Sequence, residues 1–251
     1  MIQLTIIRIE GYGQWTVTLG SDREAQLQML QARIYHDVQR LFSERDSIIF
    51  FNRFDEYFAI TNGLSANDHR DIQHELTKLY DNMSMSMAIG AGKTAFEANQ
   101  NAYRMRKQGR MLDSAARIFG SDHHHDADVA QIMHIDIDSS AKVGNWLSPF
   151  EVTALVMKIY SRLVEEFLKY NSLAFFLGGD NVMVISNGMA KEQADKVIRS
   201  VTAGIDVKLN CGIGLGKTGR RAAEAATKAL DIIRDLRKEG KIQTIYEIQC
   251  P

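Results

Sequence analysis

Two hydrophobic periods alternate along the chain, and each change of period marks an element. Residues 2–10 alternate as a strand ending at Arg8-Ile9-Glu10, and Gly11-Tyr12-Gly13 reads as a loop. From Arg23 to Arg45, Leu27, Leu30, Ile34, Val38 and Leu41 recur every three or four positions, the spacing of an amphipathic helix with Arg33, His36 and Arg40 on its polar face. Strands are expected at 47–51 and 57–60, around Asn52-Arg53-Phe54-Asp55, with Asn62-Gly63 ending the second. A helix at 66–80, a strand at 83–91 and a helix at 94–107 complete the order βαββαβ plus a helix.

The order then repeats, with a strand at 130–138, a helix at 149–169, hairpin strands within 172–186, a helix at 189–203, a strand at 206–215, a helix at 218–238 and a last strand at 241–248. Ser148, Pro149 and Glu151 form a capping box at the start of the 149–169 helix. Motifs repeat with the elements. Phe50-Phe51-Asn52-Arg53-Phe54-Asp55 and Ile60-Thr61-Asn62-Gly63 match Phe175-Phe176-Leu177-Gly178-Gly179-Asp180 and Ile185-Ser186-Asn187-Gly188 at an offset of 125 (180 − 55). Ile89-Gly90-Ala91-Gly92-Lys93-Thr94 matches Ile213-Gly214-Leu215-Gly216-Lys217-Thr218 at 124 (216 − 92). In that register Glu10 takes the place of Asp136 (136 − 10 = 126), and Arg8 that of His134. The expected fold is α+β, two tandem ferredoxin-like βαββαβ domains from an internal duplication, related by a pseudo-twofold. Their expected spans are 1–108 and 130–251, joined by a linker at 109–129 that carries the polar run Ser121-Asp122-His123-His124-His125-Asp126. Three adjacent histidines lack the separated spacing of a transition-metal site and fit an exposed linker.

The candidate chemistry gathers in the second repeat. Gly178-Gly179-Asp180-Asn181 places an acidic residue at a double-glycine hairpin. In Ile132-Met133-His134-Ile135-Asp136-Ile137-Asp138, His134, Asp136 and Asp138 share one strand face and Ile135 and Ile137 the other, so one face is expected to be core and one open. If this strand lies beside the hairpin, Asp136 and Asp180 converge, a pairing suited to magnesium with room for water and phosphate. Gly216-Lys217-Thr218 ends like a phosphate-binding loop, but Cys211 stands where its first glycine belongs. Lys217 and Arg234 read equally as phosphate contacts or as surface cations.

With 251 residues, 45% of them hydrophobic, the chain can bury proper cores, and its formal net charge of −1 leaves no basic footprint for nucleic acid or a membrane surface. Cys211 and Cys250 form neither a paired framework nor a zinc set. No apolar run approaches the roughly 20 residues that span a bilayer, and no signal-peptide pattern opens the chain, so a cytoplasmic protein is expected.

The stretch His134-Ile135-Asp136-Ile137-Asp138, together with Gly178-Gly179-Asp180-Asn181, resembles the metal-binding core of palm-type nucleotidyl cyclases. Asn181 and Val182 stand here in place of the Glu-Phe that ends their Gly-Gly-Asp-Glu-Phe hairpin. The Met1-Ile2-Gln3-Leu4-Thr5 strand leading to Tyr12-Gly13-Gln14-Trp15-Thr16, the Phe54-Asp55 turn and the two Asn-Gly strand ends resemble archaeal GTP cyclohydrolase III over essentially the whole chain. That resemblance implies tandem palm domains, hydrolysis of GTP at C8 of guanine to a formylamino-pyrimidine nucleoside 5′-phosphate, release of inorganic phosphate, and a homo-oligomer. It implies two magnesium ions with potassium as activator. Asp136 and Asp180 would hold the magnesium, with the Ile137 backbone carbonyl and Asp138 as further ligands and Glu10 and Asp55 as the second-ranked pair. Ser139 and Ser140 would cradle phosphate, His134 is a candidate catalytic or orienting group, and Arg8, Asn52 and Arg53 would line the wall toward the base. A palm-type nucleotide cyclase and a GTP-binding regulatory module without turnover remain alternative readings.

Overall fold

The computed structural model describes residues 1–121, 129–138 and 147–250. The first part runs β1 (Ile2–Ile9), α1 (Tyr12–Val17), α2 (Arg23–Ser43), β2 (Ile48–Arg53), β3 (Glu56–Ile60), α3 (Ala66–Leu79), β4 (Met85–Gly92), α4 (Ala95–Lys107), β5 (Met111–Asp113) and β6 (Ile118–Phe119). The second runs β7 (Ala130–Asp138), α5 (Pro149–Leu168), β8 (Leu173–Gly178), β9 (Asn181–Ile185), α6 (Lys191–Thr202), β10 (Lys208–Gly216), α7 (Gly219–Lys238) and β11 (Ile245–Gln249). The chain divides into two compact units, each built on one sheet, and is a mixed α+β protein.

The six-stranded sheet has the order β2-β3-β1-β4-β6-β5 and the five-stranded sheet β11-β10-β7-β9-β8. In each, the first four strands of the unit pair antiparallel, and a fifth, β6 or β11, adds parallel to β4 or β10. Residues 109–129, expected as a linker, thus include two strands: Ile118 lies opposite Met87, fully buried in the core of the first unit. Gly11-Tyr12-Gly13, expected as a loop, leads into a short helix, Tyr12–Val17. The expected capping box is present, with Glu151 N donating to Ser148 Oγ and Ser148 N donating to Glu151 Oε2.

Backbone pairing corrects the expected match between the two halves. Leu4 lies opposite Ile60 and Gly90, and Ile132 opposite Ile185 and Gly214, so β1 maps onto β7 at 128 (132 − 4), not 126. Gln3 N donates to Asn62 Oδ1 at 3.0 Å and Gln131 N to Asn187 Oδ1 at 2.9 Å, while each glutamine Nε2 donates to a second carbonyl, of Leu64 or Met189. Arg8 therefore corresponds to Asp136, and Glu10 to Asp138.

One face of β7 is core, where Met133, Ile135 and Ile137 pack with Ile159, Leu163 and Phe167 of α5 and Val197 and Val201 of α6. The other face was expected to be open, but α7 covers it. Alternate residues of β10 on that side are Gly212, Gly214 and Gly216, and the helix backbone occupies the space their side chains would fill: a Cβ on Gly214 would lie 2.1 Å from Ala222 O and 2.2 Å from Ala226 N. Gly90 meets Ala98 and Ala102 of α4 in the same way. Because the obstructing atoms are backbone, Gly214→Ala must push α7 away. It is expected to destabilise the second unit by about 1–3 kcal/mol, read as a lower urea midpoint at unchanged slope.

Candidate active site

Three polar residues of β7 face α7, and each meets a partner there. His134 Nδ1 lies 3.1 Å from Thr227 Oγ1, Asp136 Oδ2 lies 3.5 Å from Arg234, and Asp138 Oδ2 lies 2.8 Å from Arg237. Positions 227, 234 and 237 share one face of a helix.

His134 Nε2 is 2.9 Å from Asn181 Oδ1, and Asn181 Nδ2 donates to Asp180 Oδ1 at 2.8 Å. An amide oxygen only accepts, so Nε2 carries the proton and the Thr227 hydroxyl donates to Nδ1. Burial lowers the imidazole pKa from its ordinary 6.5, which keeps the ring neutral in this chain of bonds. With both nitrogens engaged, His134 orients Asn181, and Asn181 orients Asp180.

Asp180 is placed by its hairpin. Gly178 and Gly179 have φ of 111° and 60°, the left-handed region that a Cβ disfavours, and no atom lies within 4 Å of where their side chains would be. Ile137 N donates to the Asp180 carbonyl at 3.1 Å, and Asp136 pairs in register with Asn181. Asp136 and Asp180 are thereby brought to the same strand end, beside an open hairpin tip.

Other candidates are placed differently. Arg237 grips Asp138 and also donates to Asn210 Oδ1 at 2.8 Å, so Asp138 is held by a guanidinium. Glu10, its counterpart, accepts from Arg106 at 2.7 and 2.8 Å and from Ser86, inside its own unit. Asp55 pairs with Arg53 at 3.4 Å. Arg53, Arg8 and Asn52 all converge on Glu56, at 3.4, 3.9 and 2.8 Å, inside their own unit. Lys217 follows Gly216, which pairs with Ala130, six residues from Asp136 along β7. At about 3.3 Å per residue that is about 20 Å away, so Lys217 does not reach the acidic strand end. Ser139, Ser140 and the His123–His125 run lie outside the described residues. Thr227, Asn181, Asn210 and Arg237 were not anticipated as site residues, and the only signal for the first and last is their helical spacing with Arg234.

Among the described residues no three His, Cys, Asp or Glu side chains cluster as a metal site, and no helix is long and apolar enough to cross a membrane. Cys211 is fully buried, its thiol pKa pushed up to about 12 by desolvation, which makes it a core residue and no zinc ligand.

The fold is that of a two-unit α+β protein whose second unit brings Asp136 and Asp180 to one strand end. Residues 1–247 match the family model for GTP cyclohydrolase III. Proteins named GTP cyclohydrolase III from Methanosphaera stadtmanae and Methanocaldococcus jannaschii are 38% and 36% identical, covering 93% and 98% of this chain and 93% of each relative. The chain belongs to the GTP cyclohydrolase III family. Among solved structures it is similar to an EAL/GGDEF domain protein from M. capsulatus, with a TM-score of 0.40 and 14% identity over 51% of this chain and 90% of that one.

The neutral state of His134 sets a pH dependence. The unfolded imidazole takes a proton near 6.5 and the folded one only below that, so the unfolded chain binds more protons between the two values. The stability His134 contributes is present above pH 6.5 and is lost as the pH falls toward the folded value. His69, buried in the first unit with its pKa also lowered by burial, adds a fall of the same sign. The difference isolates His134: urea melts on either side of pH 6.5 are expected to show a smaller loss of stability in acid for His134→Gln than for wild type.

Proposed function

We propose that the acidic strand end of the five-stranded sheet is where this GTP cyclohydrolase acts on GTP, opening the guanine ring at C8 to a formylamino-pyrimidine nucleoside 5′-phosphate and releasing inorganic phosphate. The observation that carries this reading is the placement of Asp136 and Asp180 together, one on a strand and one on an open hairpin. Their donor set is all oxygen, with no free thiolate or imidazole, and fits a hard cation such as magnesium that keeps water and phosphate in its coordination sphere. Asp136 and Asp180 would hold the ion, and potassium is proposed as activator. When bound, magnesium orients the triphosphate, draws charge from phosphorus and lowers the pKa of a bound water.

The chain's own residues supply the rest. Asn181 and neutral His134 keep Asp180 in one orientation, and Arg234, beside Asp136 and 44% exposed, is the cation placed to meet phosphate oxygens. The Arg237 clamp keeps Asp138 from competing for the ion.

We further infer that both units descend from one ferredoxin-like βαββαβ palm. The shared strand order, the repeated Gln-Asn bonds and the repeated helix-docking glycines support a duplication. In the first unit Arg8 stands in place of Asp136, so the second carries the chemistry.

Asp180→Asn keeps the shape of the side chain and its bond from Asn181 but halves the charge of the pair. It is expected to lower kcat/KM by about a hundredfold or more with little change in Tm. The assay is incubation with GTP and magnesium: loss of guanine absorbance with phosphate release is expected. A cyclic nucleotide with pyrophosphate, or unchanged GTP, would sink the reading.

A further inference from the structure

The two arginines that α7 lowers onto β7 are not held alike. Arg237 is pinned on both sides, by Asp138 and by Asn210, each at 2.8 Å. Arg234 approaches Asp136 only to 3.5 Å and bonds Asp231 of its own helix at 3.0 Å. Next to them is an unmet donor. Asn210 is 1% exposed and accepts from Arg237 at its Oδ1, while its Nδ2 has no acceptor among the described residues. A buried amide without an acceptor is rare and costly. The sheet register sets Asn210 directly opposite Asp136, the carboxylate that Arg234 neutralises.

We propose that Arg234 is an exchangeable counter-ion. It balances Asp136 in the arrangement seen here, passes to the triphosphate as nucleotide and cation enter, and leaves Asp136 to the cation, with the Asn210 amide as the positioning partner of that carboxylate. The proposal rests on the reading of Asp136 and Asp180 as the cation-holding pair. The loose contact suits such an exchange, since Asp231 offers the guanidinium a resting place within one helical turn and the side chain is already partly in water. Arg237 is unsuited to it, because leaving would strand Asp138 and Asn210 together.

Mn2+ binding to the full-length chain without nucleotide, followed by electron paramagnetic resonance, tests the exchange. Arg234→Gln removes a positive charge from beside the carboxylate and is expected to bind Mn2+ about tenfold more tightly than wild type, while its KM for GTP rises. Arg234→Lys restores the charge and is expected to bring Mn2+ affinity back toward wild type. Asn210→Ala removes the partner of Asp136 and is expected to weaken Mn2+ binding by about tenfold. General loosening of the site would weaken binding in both variants, so opposite signs are diagnostic. Mn2+ affinity in Arg234→Gln no higher than wild type, or unchanged affinity in Asn210→Ala, overturns the exchange. Asp136→Asn and Asp180→Asn serve as separate controls: wild-type Mn2+ binding in both would remove the cation pair itself, whatever Arg234 does.

Discussion

How closely α7 can approach β10 governs everything on the polar side of β7. Glycine at every second position of β10 lets the helix backbone settle where side chains would otherwise stand. That approach places the helix over His134, Asp136 and Asp138 and takes water from all three. A carboxylate removed from water without a counter-charge is penalised by several kcal/mol, so the covering face must bring donors with it. Thr227, Arg234 and Arg237 meet that demand at helical spacing. Most of the electrostatics of the candidate site thus follows from a packing constraint set one strand away.

The first unit solves the same packing problem and then diverges. Gly90 and Gly92 admit α4, and Arg106 of that helix grips Glu10 as Arg237 grips Asp138. Beyond this clamp the charges are inverted. Arg8 occupies the place of Asp136, and Glu56 that of Asn181, so in this hairpin Arg8 and Arg53 gather around Glu56 and Asp55. The glycines that admit the helix and the arginine clamp recur in both units, and at the strand end Asp55 stands in the place of Asp180 while the residues around it differ.

Long, strongly periodic elements were legible in the sequence, as was the Ser148 cap, because burial stripes and capping chemistry are local. The two-residue strand β6 carries no period to detect, and only its parallel pairing with β4 reveals it. The register of β1 was misread for a different reason. Side chains on a strand alternate with period two, so a slip of two residues leaves every inward position inward. Hydrophobic patterning cannot register such a slip. The matched buried glutamines, Gln3 and Gln131, do carry that information, since each must serve the strand end beside it. The open face was misjudged because Asp136 and Asp138 were weighed alone, whereas Gly212, Gly214 and Gly216 on the neighbouring strand already marked a surface prepared for a helix. Strand direction separates Lys217 from the acidic strand end: antiparallel pairing sends the end of β10 to the start of β7.

Residue 181 joins His134 to Asp180. Where the resembled cyclase hairpin carries a glutamate, an ionised side chain could only accept hydrogen bonds. It would set a further negative charge beside Asp180 and would favour a protonated His134. Asparagine does the opposite at both ends. Its oxygen accepts from the His134 ring, and its nitrogen donates to Asp180 Oδ1. The histidine can then stay neutral under α7, where burial already disfavours its charged form. Asp180 gains an orienting donor without a competing carboxylate. Asn181 and neutral His134 therefore depend on one another, and replacing either alone leaves the other with a bond it cannot make.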